Sequence, residues 1–309
     1  MLSLRKNSND GFVGLDVDGG FVAAAQVSGG VVQRAVSHEL DPGIVVDGEV
    51  AKPDDLAEAL KELFNHQGLP RRVQLGVANQ QIVVRHIELP HIADDREREA
   101  AIRFQTAETV AMPLEEAVID HQLVGEIEDE DGKKRSRVLV VAARRSMVDQ
   151  LVAAVRGAGL KAEGVDLSAF ALMRTLHGAD ADGDETGRVY CHLGGVVNVA
   201  IGIGSRCVFT RPLSADWDGE DASVHDLAEE LRLSIEYYRA QADAALVHEL
   251  ILSGPGAEVE GLAHRVGEVT GLPVTVAEPL GALPGAGFPA GEDPYRHTVS
   301  VGLAMGAAA

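Results

Sequence analysis

The stretch that decides the fold is Gly14-Leu15-Asp16-Val17-Asp18-Gly19-Gly20-Phe21-Val22. An apolar run at residues 12 to 17 (FVGLDV) meets an Asp-Gly-Gly turn and passes at once into a second apolar run at 21 to 27 (FVAAAQV). Two β-rich runs joined this way predict a hairpin, because Asp and Gly accept the backbone angles that a tight turn demands. A third run at 29 to 36 (GGVVQRAV) enters through Gly29-Gly30 and extends the hairpin into a three-strand meander.

Residues 53 to 66 (PDDLAEALKELFNH) read as an amphipathic helix, with Pro53, Asp54 and Asp55 in its first turn and Leu56, Leu60, Leu63 and Phe64 on one face. Strands are expected at 72 to 77 and 80 to 88, a helix at 94 to 109, and strands at 117 to 126 and 136 to 143. A helix at 145 to 157, a strand at 161 to 166 and a helix at 167 to 176 follow. The polar stretch Asp180 to Thr186 has no apolar face and marks a lobe boundary.

Beyond that boundary the opening pattern returns. Runs at 188 to 193 (RVYCHL), 196 to 203 (VVNVAIGI) and 206 to 211 (RCVFTR) are joined by Gly194-Gly195 and Gly204-Ser205. A helix at 223 to 241, a strand at 248 to 252, a helix at 257 to 270, a strand at 273 to 276 and a small-residue helix at 298 to 308 complete the pattern. The expectation is an α/β protein of two lobes, 12–179 and 187–309, each opening on a Gly-turned meander.

Composition agrees. The 309 residues suit two lobes, and an interior built on Val, Ala and 34 Gly, with only 4% aromatics, suits sheets with tight turns. A net charge of -21 repels nucleic acid and anionic lipid. The short basic clusters, Lys133-Lys134-Arg135 and Arg144-Arg145, do not reverse it; the first follows Glu128 to Asp131 and reads as a solvated hairpin turn. Cys191 and Cys207 fall on neighbouring strands and read as buried free thiols rather than a disulfide. The first 11 residues have no apolar core behind Arg5-Lys6, and no run approaches the ~20 apolar residues of a membrane span. A soluble, cytoplasmic protein is expected.

Three Gly turns carry the candidate chemistry: Asp16 to Gly20, His192 to Asn198, and Leu252 to Ala257. Each follows an apolar strand, where backbone N–H groups can converge on a phosphate. Their order resembles that of the actin, Hsp70 and sugar-kinase superfamily, and within it the chain is similar to the PilM family of type IV pilus assembly proteins. The resemblance rests on Gly14 to Val22, similar to G-I-D-I-G-S-S-S-V, and on Gly43-Ile-Val-Val-Asp47-Gly-Glu49-Val50. It continues through Arg85-His-Ile-Glu-Leu89-Pro90, Met112 to Gln122, Val138 to Ala143, Phe209-Thr-Arg211, Glu230 to Tyr238 and Leu252 to Ala257. It implies an actin-like (ribonuclease H-like) two-lobed fold with an inserted subdomain at about 41–137. It also implies a nucleotide site of Asp16, Asp18, Gly19, Gly20, Gly194, Gly195, Asn198, Ser253, Gly254 and Gly256. ATP is the implied cofactor, with Mg²⁺ held through water by Asp16.

The departures weaken that site. The family's phosphate-contacting Lys aligns with Ala23, the Asp of its second loop is His192, and the segment from Pro212 to Val224 is too short for the usual small subdomain. Phosphoryl transfer depends on cations placed against the phosphates, so nucleotide binding is expected to be weak or lost. Asp18 either caps its turn or helps hold Mg²⁺, and His192 either bonds a phosphate or fills the loop. The resemblance therefore implies a scaffold that binds the cytoplasmic tail of a PilN-like membrane protein, alongside other platform or motor proteins, and meets the membrane only through partners. A small-molecule kinase or active ATPase of the superfamily is the alternative, with Asp216 or Asp218 as the base by position alone, since Asp216-Trp217-Asp218-Gly219 reads first as an exposed loop; an FtsA-like protein would need a C-terminal amphipathic helix that 302–309 does not form.

Overall fold

The computed structural model describes residues 12–110, 112–128, 132–177, 186–213, 217, 220–241, 244–277 and 291–306. The turn at 129–131, most of the boundary stretch 180–186, and both Asp216 and Asp218 lie outside the described residues. The chain runs β1 (Val13–Val17), β2 (Phe21–Ser28), β3 (Val31–Glu39), β4 (Val45–Val46), β5 (Glu49–Val50), α1 (Pro53–Gln67) and β6 (Arg72–Val77). It continues through β7 (Val83–Pro90), α2 (Asp95–Thr109), β8 (Ala117–Glu128), β9 (Lys134–Arg144), α3 (Arg145–Gly157), β10 (Lys161–Leu167) and α4 (Ser168–Leu176). Then come β11 (Gly187–His192), β12 (Asn198–Ile203), β13 (Arg206–Pro212), α5 (Asp221–Arg239), β14 (Val247–Ser253), α6 (Leu262–Thr270), β15 (Val274–Val276) and α7 (Thr298–Gly306).

These elements form two compact units, one made by residues up to Asn79 together with Val152 onward, the other by Gln80–Leu151. The first unit holds two five-stranded sheets, ordered β10-β6-β1-β2-β3 and β13-β12-β11-β14-β15. In each, a meander of three antiparallel strands is extended from its first strand by two parallel strands. The topology of the two sheets is the same, so the repeat legible in the Gly-turned runs extends to strand order. Residues 41–79, which the resemblance assigns to an inserted subdomain of about 41–137, group with this unit, and the compact insertion is Gln80–Leu151. Its α1 buries Leu56, Leu60, Leu63 and Phe64, and ends at Gly68, whose φ of 60° lets the cap N–H reach the Phe64 carbonyl.

Two helices occupy the middle of the first unit. Ala169, Leu172, Met173 and Leu176 of α4 pack with Tyr190, Ala200 and Ile251 of the second sheet. Although the sequence reading puts it in the second lobe, 187–309, α7 packs on β1, β2 and β6 of the first sheet and on α4. Residues Thr298 to Ala304 are all buried, so α7 has no solvent face and is apolar all round, as a core helix must be. Its fit depends on glycine. A methyl group at Gly14 of β1 would overlap the Ser300 carbonyl oxygen, and one at Gly302 would overlap that of Ala171. Just before α7, Glu292 accepts hydrogen bonds from Ser37 N (3.0 Å) and Ser37 Oγ (2.9 Å) and lies 3.0 Å from His297 Nε2. Burial works to raise the Glu292 carboxyl, but these partners outweigh it and hold it below the usual range.

The second unit is a three-stranded antiparallel sheet, ordered β7-β9-β8. Ile102 of α2 joins Ile87, Leu89, Val138 and Val140 in its core. Asp94 caps α2 by accepting from Arg96 N at 3.0 Å and Glu97 N at 2.9 Å.

Candidate functional site

All three Gly turns lie in the first unit. The first joins β1 to β2, the second joins β11 to β12, and the third leaves β14. Parallel pairing of β11 with β14 sets His192 opposite Ser253, and antiparallel pairing with β12 sets it opposite Asn198. The three buried polar residues therefore form one row across the end of the second sheet. His192 Nδ1 lies 3.2 Å from Ser253 Oγ. Burial pushes the imidazole down to about 4, so it is neutral at physiological pH.

Asp16 ends the first sheet in the same manner, buried and paired in register with Ala23. Burial, with the charge of Asp18 beside it, pushes its carboxyl up to about 8, and Val17 only partly offsets this. Where the family pattern has a lysine, the strand thus presents a buried methyl group across from a carboxyl.

Asp18 reaches beyond its own turn. Both its oxygens accept from the Gly195 N–H, at 2.7 and 2.8 Å, and it also accepts from the N–H groups of Gly19 and Gly20. It caps its own turn and reaches across to the second loop. Burial drives this carboxyl up, against the pull of the three glycine amides and of Arg296. A methyl at Gly194 or Gly195 would collide with the Asp18 carboxylate, so the two loops touch through it. At the third turn, Gly254 has a φ of 90° and lies against the Leu193 backbone, while Gly256 lies against the Trp217 indole. Gly20 has no neighbour within 4 Å of where a side chain would begin.

The ten residues anticipated from sequence are therefore brought to the ends of two sheets, where Asp18 links the first turn to Gly194 and Gly195 while Gly254 and Gly256 meet Leu193 and Trp217. Two participants escaped the sequence reading. Trp217 lies in a stretch that read as an exposed loop, yet it packs against the second-lobe core. Arg296, just before α7, sits 4.9 Å over the Phe21 ring, pairs with Glu39 at 2.6 Å and acts electrostatically on Asp18. No local motif could have flagged it, because 278 positions separate Asp18 from Arg296 in the chain.

Ligand atoms of Asp16, Asp18 and His192 lie within 4.8 Å of one another. Mg²⁺ takes oxygen ligands and keeps several waters beside substrate phosphates; an imidazole in the second loop is a poor member of that set. Asp18 already uses the amides that would face a phosphate, and Ala23 supplies no cation. As placed, these residues do not fit a nucleotide phosphate with its Mg²⁺.

The duplicated sheets, with a Gly turn closing the first strand of each, define an actin-like fold. Solved structures agree. A PilM–PilN type IV pilus biogenesis complex matches with a TM-score of 0.84 at 23% identity, over 95% of this chain and 97% of that one. The cytoplasmic domain of EpsL, an inner-membrane component of the Vibrio cholerae type II secretion system, matches at 0.52 and 14%, over 96% and 94%. MreB5 of Spiroplasma citri bound to ADP matches at 0.51 and 11%, over 96% and 95%. At these identities the likeness is one of fold. The family model for type IV pilus assembly protein PilM matches residues 20–183, just over half of the sequence, and the chain belongs to that family.

Proposed function

We propose that this protein is a scaffold of a type IV pilus or related secretion platform, that it binds the cytoplasmic tail of a PilN-like membrane protein, and that its nucleotide cleft is degenerate. The observation that carries the reading is the match, over 95% of the chain, to a protein solved in a PilM–PilN complex. The second unit supplies a surface suited to an extended tail. Both β7 and β8 are edges of its sheet, and β8 is 12 residues long with Leu123 exposed. An open edge offers backbone hydrogen bonds, and alternate side chains along it offer selectivity. No helix among the described residues is long and apolar enough to cross a membrane; recruitment to the inner face through the partner accounts for membrane association. Further platform or motor proteins would join the same assembly, and the charge of -21 argues against nucleic acid.

The test is calorimetric titration with a synthetic PilN-like tail. Saturable binding is expected, weakened about tenfold or more by Leu123→Asp on the strand edge, with circular dichroism unchanged. Absence of binding up to roughly millimolar peptide, some 4 kcal/mol of affinity, would end the scaffold reading.

A further inference from the structure

The first and second loops of the cleft converge three backbone N–H groups, from Gly19, Gly20 and Gly195, on one point. Such convergent amides form an anion-binding concavity, the device by which Gly-rich loops hold phosphates. Here the anion is already present and belongs to the chain. We propose that the Asp18 carboxylate is a built-in substitute for a nucleotide phosphate, which occupies the anion seat between the two loops and holds them together with no nucleotide bound. The inference goes beyond the scaffold reading and stands on separate observations.

Several features point the same way. Asp18 stands where the family pattern G-I-D-I-G has glycine, so the occupying group is an addition to the loop. The loops fit around it, since Gly194 and Gly195 have no room for a side chain on the face they turn to Asp18. Gly195 Cα lies within 3.5 Å of where a Gly19 side chain would begin, so the loops are already in contact. The positive charge that acts on this anion is Arg296, carried from the far end of the chain and held by Glu39 and Phe21. Ala23, opposite Asp16, offers none. At the third turn the Trp217 indole lies against Gly256, another contact supplied by the chain itself.

The test compares the wild-type chain with Asp18→Gly, which restores the family residue. The readouts are hydrogen exchange at the Gly195 amide and thermal unfolding, each with and without millimolar magnesium pyrophosphate. In the variant the Gly195 amide should exchange about tenfold faster or more, the loss expected for a hydrogen bond to a charged acceptor. Pyrophosphate should slow that exchange and raise the variant's Tm while leaving the wild type unmoved. A wild-type Tm that rises with pyrophosphate as much as the variant's overturns the inference, as does equal Gly195 exchange in the two proteins. So does a variant whose amide is freed but which ignores pyrophosphate. If Asp18→Gly does not fold, Asp18→Asn keeps the shape and loses the charge; faster Gly195 exchange supports the inference and unchanged exchange overturns it. A wild-type protein that binds both the tail peptide and pyrophosphate would sink this inference and leave the scaffold reading in place.

Discussion

The cleft loops and the inserted sheet use polar residues in opposite ways. Around the cleft, Asp16, His192, Asn198 and Ser253 are buried; His192 addresses Ser253, whose hydroxyl also lies within reach of the Cys191 carbonyl. In the insertion, charged groups stay at the surface. Glu88 meets Arg137 at 3.0 Å and Arg135 at 3.9 Å, and the apolar side chains of Phe104 and Leu123 are exposed. Buried polar groups that satisfy one another specify a fixed arrangement and leave little for a ligand. A hydrated surface with isolated apolar side chains and free strand edges is the kind that partners recognise. One region thus spends its polar side chains inside the protein, whereas the other keeps them at its surface.

Substitutions in the two regions should differ sharply in their cost. The largest effect is expected behind the first loop, where Gly14→Val would drive a side chain into the Ser300 backbone. Overpacking against backbone has no cheap relief, and a loss of about 3 kcal/mol or more is expected in denaturant unfolding. A comparable enlargement at exposed Gly125, which has no neighbour within 4 Å, should be far milder.

The next effect is one of pH. The ordinary value for Asp16 is 3.8 and the folded value about 8. Between those limits the folded chain holds a proton that the unfolded chain has released, so stability falls as pH rises through that window. Asp16→Asn should flatten this dependence and raise Tm above wild type at pH 8, with little gain at pH 4, as read by thermal melts across the range. A wild-type Tm indifferent to pH would show that the cleft is wetter than its geometry.

His192 should act with the opposite sign and less strongly. Its ordinary value is 6.5 and its folded value about 4. On acidification through that window the unfolded state gains a proton that the folded state refuses, so stability present above 6.5 is progressively lost. His192→Gln should lose less Tm between pH 6.5 and 4 than the wild type does. The smallest effect belongs to the insertion. Glu88→Gln breaks partly exposed ion pairs and should cost less than about 1 kcal/mol, with added salt reducing the difference further.

Much of the fold was legible because its signals are local. The Asp18-Gly19-Gly20 turn, the face formed by Leu56, Leu60, Leu63 and Phe64, and the repeated meander can each be read within a short window. The site was legible as a set of positions but not as an arrangement. Asp18 and Gly195 meet across 177 positions, and the pairing is made by backbone amides, which any sequence possesses. Trp217 was misread because its flanking acidic residues suggest solvent, while its partner Gly256 is a turn glycine that gives no hint of a cover. The partner of α7 was hidden for a different reason. Its run TVSVGLAMG is apolar in every direction, so it announces burial without naming a face.

That helix also sets a schedule. The sheet of β1, β2 and β6 is synthesised early, but the groove it offers is filled by residues 298–306, more than 200 positions later. Contacts so distant in sequence are slow to form and leave apolar surface uncovered meanwhile. During synthesis, the first sheet therefore goes without its covering helix until the rest of the chain has been made.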